Sequence, residues 1–238
     1  MEKVEKPRWG LFEIVAVFIG IMMTGMLFAW YSEEVKSWLA ASGIGDTTLA
    51  FFTVAYVFQF IVTVLLVLLF TIVVNRARLS DLGIKHVSSK EYLRYGLMGG
   101  GLLLIFIVAL GVIINLIHPD IQPQQIEDML RTVSSPGGFI VLLIIGALLA
   151  PISEELYYRG MIYPVFRGYV GPFWGAIIAG IIFGLVHLDL WRAIPLGAGG
   201  VILCYIYEKS GSILVSALAH GVWNGVMALI VYFSLVSI

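Results

Sequence analysis

The stretch "GGFIVLLIIGALLAPISEELYYRG", residues 137–160, places two adjacent glutamates and an arginine at the end of an uncharged apolar run. Such a run is typical of a membrane helix, in which one charge costs roughly 2.5–3.5 kcal/mol. Glu155 and Arg159 are spaced i, i+4, which predicts an ion pair on one helix face. Glu154 points about 100° away from Glu155. The charges either end an interfacial helix in water or belong to an intramembrane site.

The composition indicates a membrane protein. Hydrophobic residues make up 60% of the 238 and charged residues only 12%, and the mean hydropathy is +0.99. Stretches that long without a charge predict membrane-spanning helices. We therefore expect an all-α integral membrane protein, a bundle of about seven transmembrane helices with an intramembrane active site. The charge-free stretches are 14–32, 47–75, 95–119, 132–153, 168–188, 193–207 and 210–238.

The sixth of these stretches is the shortest, and its proline and glycines predict an irregular or close-packed entry rather than a plain helix. We expect one compact membrane domain, with amino-terminal helices over 1–130 and a carboxyl-terminal core over 131–238. Cys204 is the only cysteine, so the chain can form no intrachain disulfide. The 14 basic and 15 acidic residues nearly balance, which argues against a nucleic-acid partner. The residues that make the sixth stretch irregular are Pro195, Gly197, Gly199 and Gly200.

Lysine and arginine favour one side of the predicted membrane. The side of the amino terminus has eleven of them, Lys3, Lys6, Arg8, Arg76, Arg78, Lys85, Lys90, Arg94, Arg159, Arg167 and Lys209. The opposite side has Lys36, Arg131 and Arg192. Because cytoplasmic loops carry the excess of positive charge, we expect a multi-pass protein of the cell (cytoplasmic) membrane with a cytoplasmic amino terminus. The loop 118–138 then faces outward and is predicted to hold a short amphipathic helix.

Two further predicted spans carry polar side chains at helical spacing. Phe183 and His187 are separated by one turn near the end of the fifth span, and His220 and Asn224 by one turn inside the last span. Residue counts from the inner loops place Glu154 and the two histidines at depths of about 16–21 Å. We expect these groups to converge from three helices in one layer of the bilayer.

Two kinds of chemistry fit these groups, and the sequence leaves both open. Glu154, His187 and His220 match the His₂Glu ligand set of catalytic zinc sites, which would make one zinc ion the cofactor. Without metal, Glu154 and His187 would activate water while His220 and Asn224 donate hydrogen bonds to the oxyanion. Both interpretations predict hydrolysis of an amide bond.

Other hydrolytic motifs fit poorly. The sequence contains no HExxH and no GxSxG motif. "GIGD", residues 43–46, spells the GxGD string of intramembrane aspartyl proteases, but an aspartyl dyad requires two facing carboxyl groups. Asp46 falls in a polar loop and no other aspartate lies in a charge-free stretch. We interpret this match as chance.

The carboxyl-terminal half resembles the CAAX protease and bacteriocin-processing family, also called the ABI family. The resemblance rests on "APISEELYYRG", "FGLVH" and "LAHGVWN", which fit that family's EExxxR, FxxxH and HxxxN motifs in order over roughly residues 137–230. "LSDLGI", residues 79–84, resembles the segment that often precedes this domain. The matching positions are Glu154, Glu155, Arg159, Phe183, His187, His220 and Asn224.

The resemblance implies an intramembrane endopeptidase, of metallo- or glutamate type, that cleaves a membrane-associated peptide or protein. It implies that Glu154 activates water with His187 as its partner, that Arg159 holds Glu155, and that His220 and Asn224 polarise the carbonyl or His220 binds metal. Bacterial members of the family are associated with bacteriocin processing and immunity. A non-catalytic immunity or scaffold protein, or a proton-coupled transporter, is the alternative, because buried acidic and imidazole groups also mark proton paths.

The charge distribution generates a topology prediction. Single cysteines introduced by Lys85→Cys and Gln125→Cys should react from opposite sides of the membrane, position 85 from inside and position 125 from outside. The measurement is labelling of intact cells and of opened vesicles with a membrane-impermeant maleimide. Labelling of both positions from the same side would contradict the seven-span topology.

Overall fold

A computed structural model describes residues 6–119 and 124–236, and within these ranges the chain forms helices and no β-strand. Six of the helices are long and apolar enough to cross a membrane. The predicted all-α integral membrane fold is confirmed. The helices are α1 Leu11–Trp30, α2 Ser32–Ala41, α3 Thr47–Val74, α4 Ser89–Ile117, α5 Gln125–Thr132, α6 Pro136–Leu185, α7 Leu190–Ser210 and α8 Ile213–Val236.

Helix α6 folds back on itself at Gly171. Its 50 residues would extend about 75 Å as one straight rod, yet the rings of Tyr158 and Phe183 lie only 5.0 Å apart. At Gly171 φ is 82° and ψ is 170°, a conformation that favours glycine because it has no Cβ. The turn divides α6 into two arms, α6a (136–170) and α6b (172–185). The described residues thus contain six candidate spans where about seven are predicted, because the predicted fourth and fifth spans are joined in α6.

The predicted end of the fourth span at residue 153 is wrong. Helix α6a continues to Gly171 and takes Arg159 into the protein interior, where its side chain is 1% exposed. The charge pattern predicts Arg159 in a loop, because charge-free stretches are taken to end at the first charged residue. In the structure the helix continues through Arg159, since its charge is paired with Glu155. Arg159 therefore does not count toward the charge bias of the loops.

Helix α7 is continuous, so the predicted irregular entry is wrong. It begins at Leu190, where the Asp189 side chain accepts hydrogen bonds from the backbone N–H groups of residues 191 and 192. The predicted close packing is confirmed: a Cβ on Gly180 would lie 2.7 Å from the carbonyl oxygen of Gly197, and one on Gly200 would lie 2.9 Å from the Gly180 Cα. Glycine on both helices lets the backbones of α6b and α7 touch.

Helix α8 lies between α6a and α4 and is held by the same kind of contact. A Cβ on Gly221 would collide with the carbonyl oxygen of Ala147 in α6a. On the other side, a Cβ on Gly100 of α4 would lie 2.8 Å from the carbonyl oxygen of Ala219. These small residues allow α8 to bring His220 close to α6a.

The amino-terminal helix packs directly on α6a. The indole N–H of Trp9 donates to the carbonyl of Met161 at 2.9 Å, and the hydroxyl of Tyr157 donates to the carbonyl of Ile14 at 2.9 Å. Both bonds are buried. The predicted division of the chain near residue 130 stays a prediction, but these contacts fix α1 against the core.

Basic residues gather at one end of the bundle. Arg8 donates to the carbonyl of Arg76 at 2.6 Å, and Arg167 pairs with Glu208 at 3.1 Å. Lys3, which contributes to the predicted charge bias, lies outside the described residues. At the other end Glu127 pairs with Arg131 at 2.8 Å. Which end faces the cytoplasm stays a prediction.

The two polar loop segments singled out in the sequence have structural roles. The amphipathic helix predicted within 118–138 is present as α5, and its residues Met129 and Leu130 are buried; residues 120–123 lie outside the described part. In the GxGD string, the Asp46 carboxylate accepts a hydrogen bond from the backbone N–H of Leu49 at 2.9 Å and caps α3. This cap explains the aspartate without a protease dyad.

Candidate active site

A buried ion pair forms the centre of the site. Glu155 Oε1 lies 2.7 Å from Arg159 Nη1, and the two side chains are 0% and 1% exposed. The pair predicted from the i, i+4 spacing is therefore present. Arg159 Nη2 also donates to the carbonyl of Gly200 at 3.0 Å, which the close approach of α7 permits. The arginine thus fixes α6a to α7.

His220 binds the same carboxylate. Its Nδ1 lies 2.9 Å from Glu155 Oε1, and the imidazole is 2% exposed. An ionised carboxylate can only accept, so this geometry assigns the proton to Nδ1. The sequence grouped His220 with Asn224 one turn away and did not predict the bond to Glu155, because helix periodicity gives a face but not the partner opposite it.

Glu154 faces a cavity instead of the buried pair. Its side chain is 32% exposed, and its Oε2 lies 3.8 Å from His220 Nε2. The cavity has a volume of about 220 Å³, and its walls also include His187. Glu154 and His187, which are predicted to act together, therefore line the same cavity. His220 does not line this cavity but lies next to the Glu154 carboxylate.

His187 is oriented by the backbone at the end of α6b. Its Nδ1 lies 2.9 Å from the carbonyl oxygen of Phe183. A carbonyl only accepts, so Nδ1 carries the proton and the neutral ring keeps its lone pair on Nε2. That tautomer makes Nε2 an acceptor, as a partner in water activation requires.

The ring of Phe183 joins the parts of the site. It is 1% exposed and lies 4.9 Å from the Arg159 guanidinium, 5.4 Å from the His187 ring and 5.8 Å from the His220 ring. Stacking of a cation over an aromatic face is favourable, more so when both are desolvated. The expected convergence of Glu154, His187 and His220 is thus present, with Phe183 packed between the histidines.

The Asn224 side chain bonds to the backbone of α6a and does not line the Glu154 cavity. Its amide donates to the carbonyl of Gly146 at 3.0 Å. That carbonyl lacks its usual helical partner, because the N–H of Ala150 bonds to Ile145 instead and Pro151 has no N–H. Asn224 also lines a different cavity, of about 620 Å³, which does not include Glu154 or His187. Its predicted part in the oxyanion site stays a prediction.

Residues 136–226 match the family model of Type II CAAX prenyl endopeptidase Rce1-like. The match confirms the resemblance found in the sequence. The matched residues include the ion pair Glu155–Arg159 and the two histidines, His187 and His220. We refer to residues 136–226 as the Rce1-like segment.

Two curated relatives match the chain in part. The "Putative membrane peptidase YdiL" of Bacillus subtilis (strain 168) is 28% identical over 101 residues, which is 42% of this chain and 39% of the relative. The "UPF0177 protein YaiF" of Lactococcus lactis subsp. lactis (strain IL1403) is 28% identical over 114 residues, or 46% of this chain and 48% of the relative. The chain thus spans less than half the length of the relatives it matches. No solved structure matches the chain.

The donor set does not form a three-ligand metal site in this arrangement. Within 6–119 and 124–236, no three or more His, Cys, Asp or Glu side chains converge closely enough to hold a metal ion. The Nδ1 atoms of His187 and His220 are both engaged in hydrogen bonds, which leaves one ring nitrogen on each. The predicted zinc ligation stays a prediction.

Helices outside the Rce1-like segment supply one wall of the Glu154 cavity, and no residue of this wall was predicted. A signal was present in the sequence, because a glutamine inside a charge-free span is costly unless it is paired or functional. The wall residues are Phe18, Ile21, Met22, Tyr56, Gln59, Phe60 and Thr63.

The buried pair generates a stability prediction. Arg159→Ala strands the Glu155 carboxylate in the interior, which should lower the free energy of unfolding by about 3–5 kcal/mol and abolish activity. The matched control is Arg167→Ala, which breaks a partly exposed ion pair with Glu208 and should cost about 1 kcal/mol or less. The measurement is the yield of monodisperse protein and its thermal unfolding in detergent. If Arg159→Ala were as stable as the wild type and only inactive, Arg159 would act directly in the chemistry.

Proposed function

We propose that the protein is an intramembrane endopeptidase that hydrolyses a peptide bond of a membrane-associated protein or peptide. The observation that carries the proposal is that Glu154 and His187 line one cavity while His220 is held 3.8 Å from Glu154 by a buried ion pair. A carboxylate and two oriented imidazoles at one enclosed site provide the acid–base groups for amide hydrolysis.

Glu154 is the general base of the proposed reaction. Its carboxylate and the lone pair of His187 Nε2 orient one water, and Glu154 takes a proton as the water oxygen adds to the substrate carbonyl. The tetrahedral intermediate then collapses, the C–N bond breaks, and the proton passes to the leaving amine. Products are a carboxylic acid and an amine, and no other reactant is needed.

His220 stabilises the charge that develops on the carbonyl oxygen. Glu155 accepts from Nδ1, and a second proton on Nε2 gives the ring a donor toward the carbonyl oxygen. The positive charges of His220 and Arg159 are then offset by the carboxylates of Glu154 and Glu155. A donor that is fixed before the reaction contributes most in a water-poor site, where losing one such donor typically costs about 10²–10³ in rate. Asn224 supports this geometry by fixing α8 to α6a through Gly146.

The proposed substrate is anchored to the membrane. The matching family model is described as a CAAX prenyl endopeptidase, and one relative is named a membrane peptidase. Entry from the bilayer also agrees with a site built from helices that are apolar enough to span it. We propose the cytoplasmic membrane as the location and a peptide of bacteriocin or prenyl-peptide type as the substrate class.

Glu154→Gln should remove peptidase activity and leave the fold intact. The amide cannot take a proton, while the partly exposed position tolerates a neutral side chain of the same shape. The measurement is mass spectrometry of new peptide termini after the reconstituted wild-type and variant proteins act on total membrane protein. The control variant is Glu208→Gln, whose carboxylate lies with Arg167 at the basic end of the bundle.

The outcome separates the enzyme from its alternatives. Termini that depend on Glu154 and not on Glu208 support the endopeptidase. Identical termini for the wild type and Glu154→Gln would contradict it, and would favour an immunity or scaffold protein, or a transporter if the wild type acidified vesicles in a Glu154-dependent manner.

Metal dependence is tested on the same purified protein. The proposed metal-free scheme predicts full activity after chelation and less than stoichiometric metal by elemental analysis. Stoichiometric zinc that disappears in both His187→Ala and His220→Ala, with activity restored by zinc after chelation, would establish the alternative ligand set of Glu154, His187 and His220.

A further inference from the structure

Gln59 has a buried amide without a partner. It lies in the middle of α3, outside the Rce1-like segment, and lines the cavity that contains Glu154 and His187. Its Nε2 is buried and has no hydrogen-bond partner among the described residues. Buried polar groups in native proteins are nearly always paired, so an unpaired donor beside a candidate catalytic carboxylate requires an explanation.

A second cavity borders Gln59 on α3. This cavity, of about 290 Å³, shares Tyr56 and Gln59 with the first. Together the two cavities extend along α1 from Phe18 to Ala29 and along α3 from Phe51 to Thr63, which is about 16–18 Å of helix axis. An extended peptide rises about 3.3 Å per residue, so this length corresponds to about five residues.

The walls of the two cavities are mainly apolar. They come from aromatic and aliphatic side chains of α1 and α3, including Phe18, Met22, Phe28 and Phe60. An extended peptide with apolar side chains fits these walls, but its backbone carbonyls then need donors. Gln59 borders both cavities, and its side-chain amide carries such a donor.

We propose that Gln59 is a substrate-positioning residue, which donates a hydrogen bond from Nε2 to a backbone carbonyl of an extended apolar peptide segment lying between α1 and α3. The inference rests on the proposed endopeptidase function and names the conformation and chemistry of its substrate.

The test compares Gln59→Leu and Gln59→Met with the wild type. Both variants remove the amide and keep about its volume, and Gln124→Leu is the matched control because Gln124 lines neither of these two cavities. The probe is a quenched-fluorescent peptide that copies the site cut fastest in total membrane protein. We expect KM to rise about 3- to 10-fold with kcat changed less than twofold, and the melting temperature to stay the same or rise, because no hydrogen bond within the protein is lost.

Each other outcome has a distinct meaning. An unchanged KM in both Gln59 variants, with Glu154-dependent cleavage intact, would overturn the positioning role and leave the peptidase proposal in place. A lowered melting temperature with kcat and KM unchanged would show that the amide is structural and would also overturn it. If the wild type produced no Glu154-dependent termini, the proposed function and this inference would both be wrong.

Discussion

The carboxylate of Glu155 is the group on which the rest of the site depends. One oxygen, Oε1, accepts from both Arg159 and His220 at 2.7 and 2.9 Å. The second oxygen is buried without a partner among the residues that the structure describes, as is Arg159 Nε. A pair that is only partly satisfied contributes little net stability, because desolvation offsets the attraction. Its effect is positional: it fixes the His220 ring, and through Arg159 it fixes α7.

The bonds of Arg159 and His220 require that the helix backbones lie in van der Waals contact. The guanidinium of Arg159 reaches the Gly200 carbonyl only because α7 packs against α6b without side chains between them. His220 reaches Glu155 because Gly221, its neighbour, lets α8 approach Ala147. Lipid gives no hydrophobic drive for helices to associate, so close van der Waals packing of small residues holds them together. The glycines of the motif helices therefore determine the positions of the polar groups, even though they carry no chemistry themselves.

Hydropathy and helix period predicted much of this molecule. Both act locally along the chain, and so the apolar helices, the short helix α5 and the pair Glu155–Arg159 could be inferred. The reversal at Gly171 could be located only within a few residues, because a polar turn signal there is weak and the dihedral angles decide it. The contacts of Glu155 with His220 and of Asn224 with Gly146 join positions far apart in sequence. Such contacts follow from tertiary packing, which no single-helix pattern contains.

Glu154 and Glu155 show how one helix gives two adjacent, chemically identical side chains different tasks. A step of one residue turns the side chain by about 100°, which takes Glu155 into the interface with α7 and α8 and leaves Glu154 at the cavity. Glu155 is fully enclosed and bound to an arginine, whereas Glu154 is 32% exposed and free to meet water. When two carboxylates lie in different surroundings, one can position neighbouring side chains while the other can act as a general base. Because α1 and α3 supply one wall of the cavity from outside the Rce1-like segment, we propose that they select the peptide that reaches Glu154.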